Sequence, residues 1–399
     1  MKKIFISLCM CCLLLISQSA PVSALFENEN ITLYENEVFA KNSDGVFAEN
    51  ESKKIGNSII KVPIKVLGLT VGSKTVTVKK DKTVYLGGQT VGIALYTDGL
   101  LVTQTASVED ANNNYVSPGS DAGIKKGDYI LSADGVKLTD RTTLDTILKN
   151  SKSKKIKLEI LRGQSKSFTE ISPVKTKDGY KLGLYLRDSA AGLGTVTCVD
   201  PETNEFYALG HGINDFDTGK ILTLRSGRLV TCIISGAQKG EKGRAGELKG
   251  TFGVNARQLG VIKGNTRFGL YGTVYKGFEQ GEAILVGSKE NVHVGKAEMY
   301  SDFEGTMKKY SIEIQHVNNQ TLPEEKSMII KITDPHLIET TGGIVQGLSG
   351  SPIVQDGKLI GAVTHVMLSD ATRGYGIFIE NMLDTAQSVA ESNKLKEAS

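Results

Sequence analysis

Apolar residues recur at every second position along much of the chain, in short runs separated by glycine-bearing turns. Ser73-Lys74-Thr75-Val76-Thr77-Val78 alternates in this way within a strand-patterned stretch over 59–85. Successive strand residues point to opposite faces, so alternation marks a half-buried strand. Further strand-like runs cover 99–103, 155–162, 283–286, 311–314 and 327–332. Helical spacing is rarer. It marks 143–149 and the C-terminal stretch 380–390, where Met382, Leu383, Ala386 and Val389 form one packing face. Short strands with glycine turns predict a mainly β protein with a barrel or sandwich from Leu182 onward and a closing helix.

The N-terminus breaks this pattern. Lys2 and Lys3 precede an apolar run over 4–16, and Val22-Ser23-Ala24 follows. A basic start, a short apolar run and a small-residue cleavage site have the layout of a secretory signal. The run is short of the roughly 20 residues of a membrane helix, so removal is the first reading and a retained anchor the second. Either way the body of the protein leaves the cytoplasm. Residues 25–54 are polar and acidic, with Glu27, Glu29, Glu35, Glu37, Glu49 and Glu51, and read as a solvated linker.

Composition narrows the class. A chain of 399 residues has room for two or three cores, and 40% apolar with 23% charged residues suits a soluble protein. The net charge of +3 is too small to argue for nucleic acid, and no binding motif for it occurs. Cys9, Cys11 and Cys12 lie in the export segment. Cys198 and Cys232 sit in apolar, β-branched runs and read as two buried thiols, with one disulfide as the alternative. No Cys/His cluster has zinc spacing and no glycine loop has P-loop spacing, so neither metal nor cofactor is expected.

Two motifs carry chemistry. The first spans Ser117-Pro118-Gly119-Ser120-Asp121-Ala122-Gly123-Ile124 and Lys126-Gly127-Asp128-Tyr129-Ile130-Leu131, ending in Asp134-Gly135. It resembles the core of a PDZ domain over about 90 residues. The resemblance implies a peptide-binding unit whose carboxylate-binding loop is Gly92-Ile93-Ala94-Leu95, with backbone amides that hold a peptide terminus.

The second is a pair, Leu209-Gly210-His211-Gly212 and Gly347-Leu348-Ser349-Gly350-Ser351-Pro352. The latter resembles the G-x-S-G-x-P nucleophile loop of chymotrypsin-like proteases. There Ser349 is the nucleophile, and the Gly347 and Ser349 amides form the oxyanion hole. A serine needs a positioned base. Of His211, His293, His316, His336 and His365, only His211 stands in a glycine-flanked strand end. His365 follows the nucleophile hairpin and is a candidate for lining the pocket, with a structural place in the strand the plainer reading. Ser351 is the rival nucleophile. The acid that would orient the histidine is open among Asp215, Asp217, Asp302 and Asp334.

Together, the export segment, PDZ core, Gly-His-Gly and the run Gly342-Gly-Ile-Val-Gln-Gly-Leu-Ser-Gly-Ser-Pro-Ile353 resemble the stage IV sporulation protein B family, from about residue 84 to the end. The resemblance implies a PDZ domain followed by a chymotrypsin-like double β-barrel, with His211 and Ser349 catalytic. It places the proposed acid on Asp334, 15 residues before the serine (349 − 334), unusually near for chymotrypsin-like enzymes. It further implies a signalling peptidase between the two forespore membranes. That peptidase cleaves itself and a membrane-bound regulator, so that an intramembrane protease activates pro-sigma-K. The expected division is 1–24 signal or anchor, 25–83 linker and N-terminal segment, 84–181 PDZ and 182–399 peptidase. A catalytically inactive PDZ adaptor is the alternative from another class.

Overall fold

The computed structural model describes residues 30–37 and 58–397, apart from 67, 68, 153, 242, 254, 280 and 321. The expected export segment, 1–24, and most of the expected linker lie outside the described residues. The fold is mainly β. Strands β1 (Asn30–Tyr34), β2 (Ser58–Val66) and β3 (Leu69–Lys79) form a small sheet in the order β1-β3-β2. Leu33 of β1 is buried against Val76 and Val78 of β3. The Glu37 carboxylate accepts from the Ser288 amide at 2.9 Å and from Lys358 Nζ at 3.3 Å, which ties this edge to the main body. Residues 30–37 are therefore docked rather than free linker. Their alternation is only five residues long and is masked by the surrounding acids.

Past a short strand at Thr83–Leu86, β4 (Thr90–Thr105) is 16 residues long and serves two units. Its distal half pairs through Leu100 and Leu101 with β5 (Tyr129–Ala133). Before β5 stands the single-turn helix α1 (Pro118–Asp121), with proline in its first turn where no amide partner is needed. Helix α2 (Arg141–Ser151) follows, capped by Asp140, whose carboxylate accepts from the Thr143 amide at 2.8 Å. Strands β6 (Ile156–Arg162) and β7 (Ser165–Ile171) complete the sheet. Leu100, Ile130, Leu144, Leu148, Leu158 and Ile160 form its core. The chain then returns in β8 (Leu184–Val199), whose first residues pair with Leu101–Thr105 and whose later ones pair with Thr90–Tyr96.

Those later residues open a closed ring. Strand β8 pairs with β9 (Glu205–Ala208), and β4 also pairs with β10 (Ser226–Val230). β10 pairs with β11 (Gln258–Thr266), β11 with β12 (Gly269–Val274), and β12 with β9. The order β4-β8-β9-β12-β11-β10 is thus a six-stranded antiparallel barrel filled by Ile93, Leu95, Val196, Phe206, Leu229 and Leu270. Closure leaves no sheet edge.

A second ring follows, made of β13 (Gly295–Ser301), β14 (Lys308–Val317), β15 (Met328–Ile332), β16 (Pro352–Gln355), β17 (Lys358–Met367) and β18 (Asp370–Phe378). Its order is β13-β14-β15-β18-β17-β16, closed by pairing of β16 with β13. Helix α3 (Pro335–Thr341) lies between β15 and β16, and α4 (Ile379–Glu397) ends the described chain. Met382, Leu383 and Ala386 of α4 are buried with Ile377 and Val354. The double barrel and the packed C-terminal helix match the architecture expected from the sequence.

The α/β unit leaves the first barrel along β4 and re-enters along β8. Strand β4 lends residues 90–96 to the barrel and 100–105 to the unit.

Candidate active site

The turn carrying His211 begins where β9 ends. Leu209 and Gly210 both have left-handed backbone, φ 70° and 69°. A Cβ on Gly210 would lie 2.8 Å from Ile377 and Thr364, both in the second barrel. Glycine here admits the neighbouring barrel and turns the chain at once. The His211 Nδ1 donates to the Gly212 carbonyl at 2.9 Å, which leaves the lone pair on Nε2. Burial lowers the pKa of this imidazole, partly opposed by that hydrogen bond.

The nucleophile loop precedes β16. Gly347 and Gly350 have φ of 100° and 95°. A Cβ on Gly350 would lie 2.0 Å from the Thr195 carbonyl oxygen of β8 and 2.5 Å from the Leu209 amide. The loop is thus pressed against the first barrel beside the His211 turn. Thr195 joins the two. Its amide donates to the Ser349 carbonyl at 3.0 Å, and its carbonyl accepts from the Leu209 amide at 3.3 Å. Its hydroxyl donates to the Gly347 carbonyl, and Thr197 Oγ1 donates to the Gly350 carbonyl, both at 2.8 Å. No motif singled out either threonine. Both sit in an ordinary strand, and their role exists only once the barrels meet.

His211 and Ser349 line one cavity of about 440 Å³, with Gly347, His365, Leu193 and Ile344. The Ser349 hydroxyl donates to the Thr364 carbonyl at 2.6 Å. That carbonyl is available because β17 and β18 slip in register between Val363 and His365. An extra residue in one strand re-aims its backbone and the side chains next to it. His365 is delivered to the cavity by the same irregularity, and its ring centroid stands 4.8 Å from that of His211. Among the described residues the Gly347 and Ser349 amides donate to no protein acceptor. Ser351 is fully buried and lines no part of this cavity, so it is not an accessible nucleophile.

The acid does not join them. Asp334 is the N-cap of α3; its carboxylate accepts from the Leu337 amide at 3.0 Å and from the Ser311 amide at 3.4 Å. Asp334 is not among the residues that line the cavity, although the chain after α3 enters it at Ile344. Asp215 and Asp217 both pair with Arg187, and Asp302 accepts from the Thr90 amide at 2.6 Å. All four candidates are thus held elsewhere.

The expected peptide loop is also displaced. Gly92, Ile93, Ala94 and Leu95 pair with Leu193 to Ala190 on one side and with Val230 to Gly227 on the other. Their amides belong to a closed barrel, so they cannot receive a peptide terminus. An open edge exists elsewhere. Residues 184–187 of β8 pair only with β4 among the described residues. A cavity of about 1030 Å³ lies between them and α2, lined by Leu144, Leu148, Leu182 and Leu184. Gly183, with φ of 64°, turns the chain at its end. Pattern reading overlooked this groove because its edge strand follows the PDZ motif by some fifty residues.

Cys198 and Cys232 are free, the first buried and the second half-buried. Burial pushes their thiols up to about 12 and about 11, so both stay protonated at neutral pH.

A double barrel with a serine and a histidine facing one cleft, joined to a PDZ unit, defines a PDZ-bearing serine peptidase. A model of the SpoIVB peptidase S55 family matches residues 178–383, more than half of the chain, and the chain belongs to that family. A PDZ domain model matches residues 87–172. No curated protein matches the chain. Among solved structures it is similar to one described as the inactive form of the Rv3671c protease. The identity is 11%, the likeness covers 48% of this chain and 81% of that one, and the TM-score is 0.29.

Proposed function

We propose that the chain is an extracytoplasmic serine endopeptidase of sporulation signalling. It cleaves itself and a membrane-bound regulator so that pro-sigma-K is activated. Family membership and the export pattern of residues 1–24 support this reading, and one observation carries its chemistry. Two separately built barrels present His211 and Ser349 to one cavity.

In this reading Ser349 Oγ turns from the Thr364 carbonyl towards His211, whose free Nε2 takes its proton as the oxygen attacks the scissile carbonyl. The Gly347 and Ser349 amides receive the oxyanion. His211 then gives the proton to the leaving amine. A peptide strand adds along residues 184–187 beside α2, with its terminus at Gly183.

The purified chain is expected to react with a fluorophosphonate probe, and labelling to vanish in Ser349→Ala. Mass spectrometry of the N-terminus over time should show shortening in the wild type only. Equal shortening in Ser349→Ala defeats the assignment. The inactive-adaptor reading draws on the Ser349–Thr364 bond, which points the hydroxyl away from a base. It predicts no labelling of fresh protein.

A further inference from the structure

The cavity beside α2 and the cavity that holds His211 and Ser349 are lined by the same strand. Residues 184–187 of β8 line the first, and Ala190, Ala191, Gly192 and Leu193 line the second. Only Asp188 and Ser189 stand between the two stretches. Along both, β8 pairs with β4 on one edge. Among the described residues its opposite edge pairs with no strand before Val196.

Main-chain hydrogen bonds show which groups face that open edge. Thr195 donates to the Ser349 carbonyl and accepts from the Leu209 amide, away from β4. The Val196 amide donates to the Gln89 carbonyl, on the β4 side. Successive residues of an extended strand aim their amide and carbonyl to opposite sides. Pairing with β4 is one-to-one over 189–195, so Leu193, Ala191 and Ser189 aim both groups at the open edge. Ser189, Ala191 and Gly192 are exposed, and a Cβ on Gly192 would meet nothing within 4 Å. The next stretch of the same edge is filled by β9, which pairs antiparallel with 196–199 and runs into the turn carrying His211. A chain laid along 189–193 lies end to end with β9 and meets that turn beside Ser349.

We propose that the free edge of β8 is one continuous track that grips the substrate on the C-terminal side of the bond it cuts. This rests on the reading of His211 and Ser349 as base and nucleophile. The substrate adds antiparallel to β8, so the residues after the scissile bond run from Leu193 back past Ser189 into the groove beside α2. Their far end reaches Gly183. From Thr195 to Gly183 the strand counts twelve steps (195 − 183). At roughly 3.3 Å per residue, a partner strand needs about ten to twelve residues to cover that path. The favoured substrate is thus an extended, unpaired segment with about that many residues after the cut, rather than a folded loop. Main-chain pairing supplies affinity and makes little demand on side chains. Contacts at both ends of one chain make the second an intramolecular event, which tightens binding without any new contact.

The test uses the full chain and peptides that share one cleaved sequence and carry about three, about seven or about eleven residues after the bond. From the shortest to the longest, kcat/KM is expected to rise at least about tenfold, chiefly through KM. Ala191→Pro removes a donor that faces the open edge and spares the pairing with β4, the setting in which a strand tolerates proline. It should collapse the long-to-short ratio of kcat/KM to within about twofold. Ala191→Val keeps the amide at the same exposed position and should keep the ratio, which separates loss of the track from loss of the fold. The proposal is overturned if kcat/KM stays within about threefold across the series, or if Ala191→Pro keeps the ratio of Ala191→Val. Either result leaves the peptidase reading standing, because the shortest peptide is still cut. No cleavage of any peptide, together with no fluorophosphonate labelling, removes that reading and the track with it.

Discussion

The barrel that carries His211 and the barrel that carries Ser349 share a six-stranded antiparallel ring but are assembled differently. The second takes all its strands from residues 295–378, and most ring neighbours are also neighbours in sequence. The first is interrupted. Its opening strands β4 and β8 run out into the PDZ unit before the ring closes over residues 90–274. Strand β8 therefore has an open edge beside a cavity at one end and the two threonines that hold the Ser349 loop at the other. The serine belongs to the self-contained barrel, but its loop is held by the barrel that is not self-contained. Neither half forms a site alone.

The largest expected effect breaks both halves at once. His211→Ala and Ser349→Ala should each lower kcat/KM by at least ~10³-fold, with folding by circular dichroism unchanged. Retained turnover in either variant would separate that residue from the chemistry.

The contact between barrels comes next. Gly350→Ala puts a methyl 2.0 Å from the Thr195 carbonyl at a backbone φ of 95°. The loop must shift, and a displacement of about 1 Å near reacting groups costs roughly 10²-fold in kcat. Ser351→Ala, one residue on but buried in the second barrel, should stay within a few-fold of wild type. Similar losses in both variants would argue against the glycine as the point of contact.

Asp334→Ala tests whether the second barrel contributes an acid. Loss of a helix N-cap costs about 1 kcal/mol, read as a lower urea midpoint, with the activity of folded protein unchanged. A 10⁴-fold drop in kcat would return Asp334 to the triad.

The smallest effect concerns pH. Burial lowers the His211 pKa, so the acidic limb of kcat/KM should fall below 6.5, the ordinary imidazole value. Activity is present above that limb and is lost as the pH drops through it. A limb above 7 would mean that a nearby negative charge outweighs burial.

How much of this was legible can be judged residue by residue. The glycine-flanked His211 and the Gly347–Pro352 loop are local motifs, and backbone freedom at Gly210, Gly347 and Gly350 is needed wherever such turns occur. Their cause was not legible. The glycines around His211 mark only a strand end in the sequence, whereas in the fold Gly210 makes room for Thr364 and Ile377 of the other barrel. Asp334 entered as the acid through the family resemblance, despite standing unusually near Ser349, yet its own position ahead of Pro335 is a helix-start signal. Gly92-Ile93-Ala94-Leu95 looked like a loop because the PDZ motif follows it. Nothing local shows that both its edges are taken by strands about 100 and 135 residues further on.

Sequence alone thus determined the strand-rich class, the PDZ core, the glycine-flanked turns at His211 and Ser349 and the C-terminal packing face, because each depends on short periodicities or turn chemistry. Tertiary structure alone decided which strands close each barrel, that β4 and β8 are shared, that Asp334 caps a helix, and that His365 rather than a carboxylate stands beside His211. Those outcomes depend on pairing between distant segments, where hydrogen-bond partners and ring contacts are set by closure of the whole sheet rather than by neighbours along the chain.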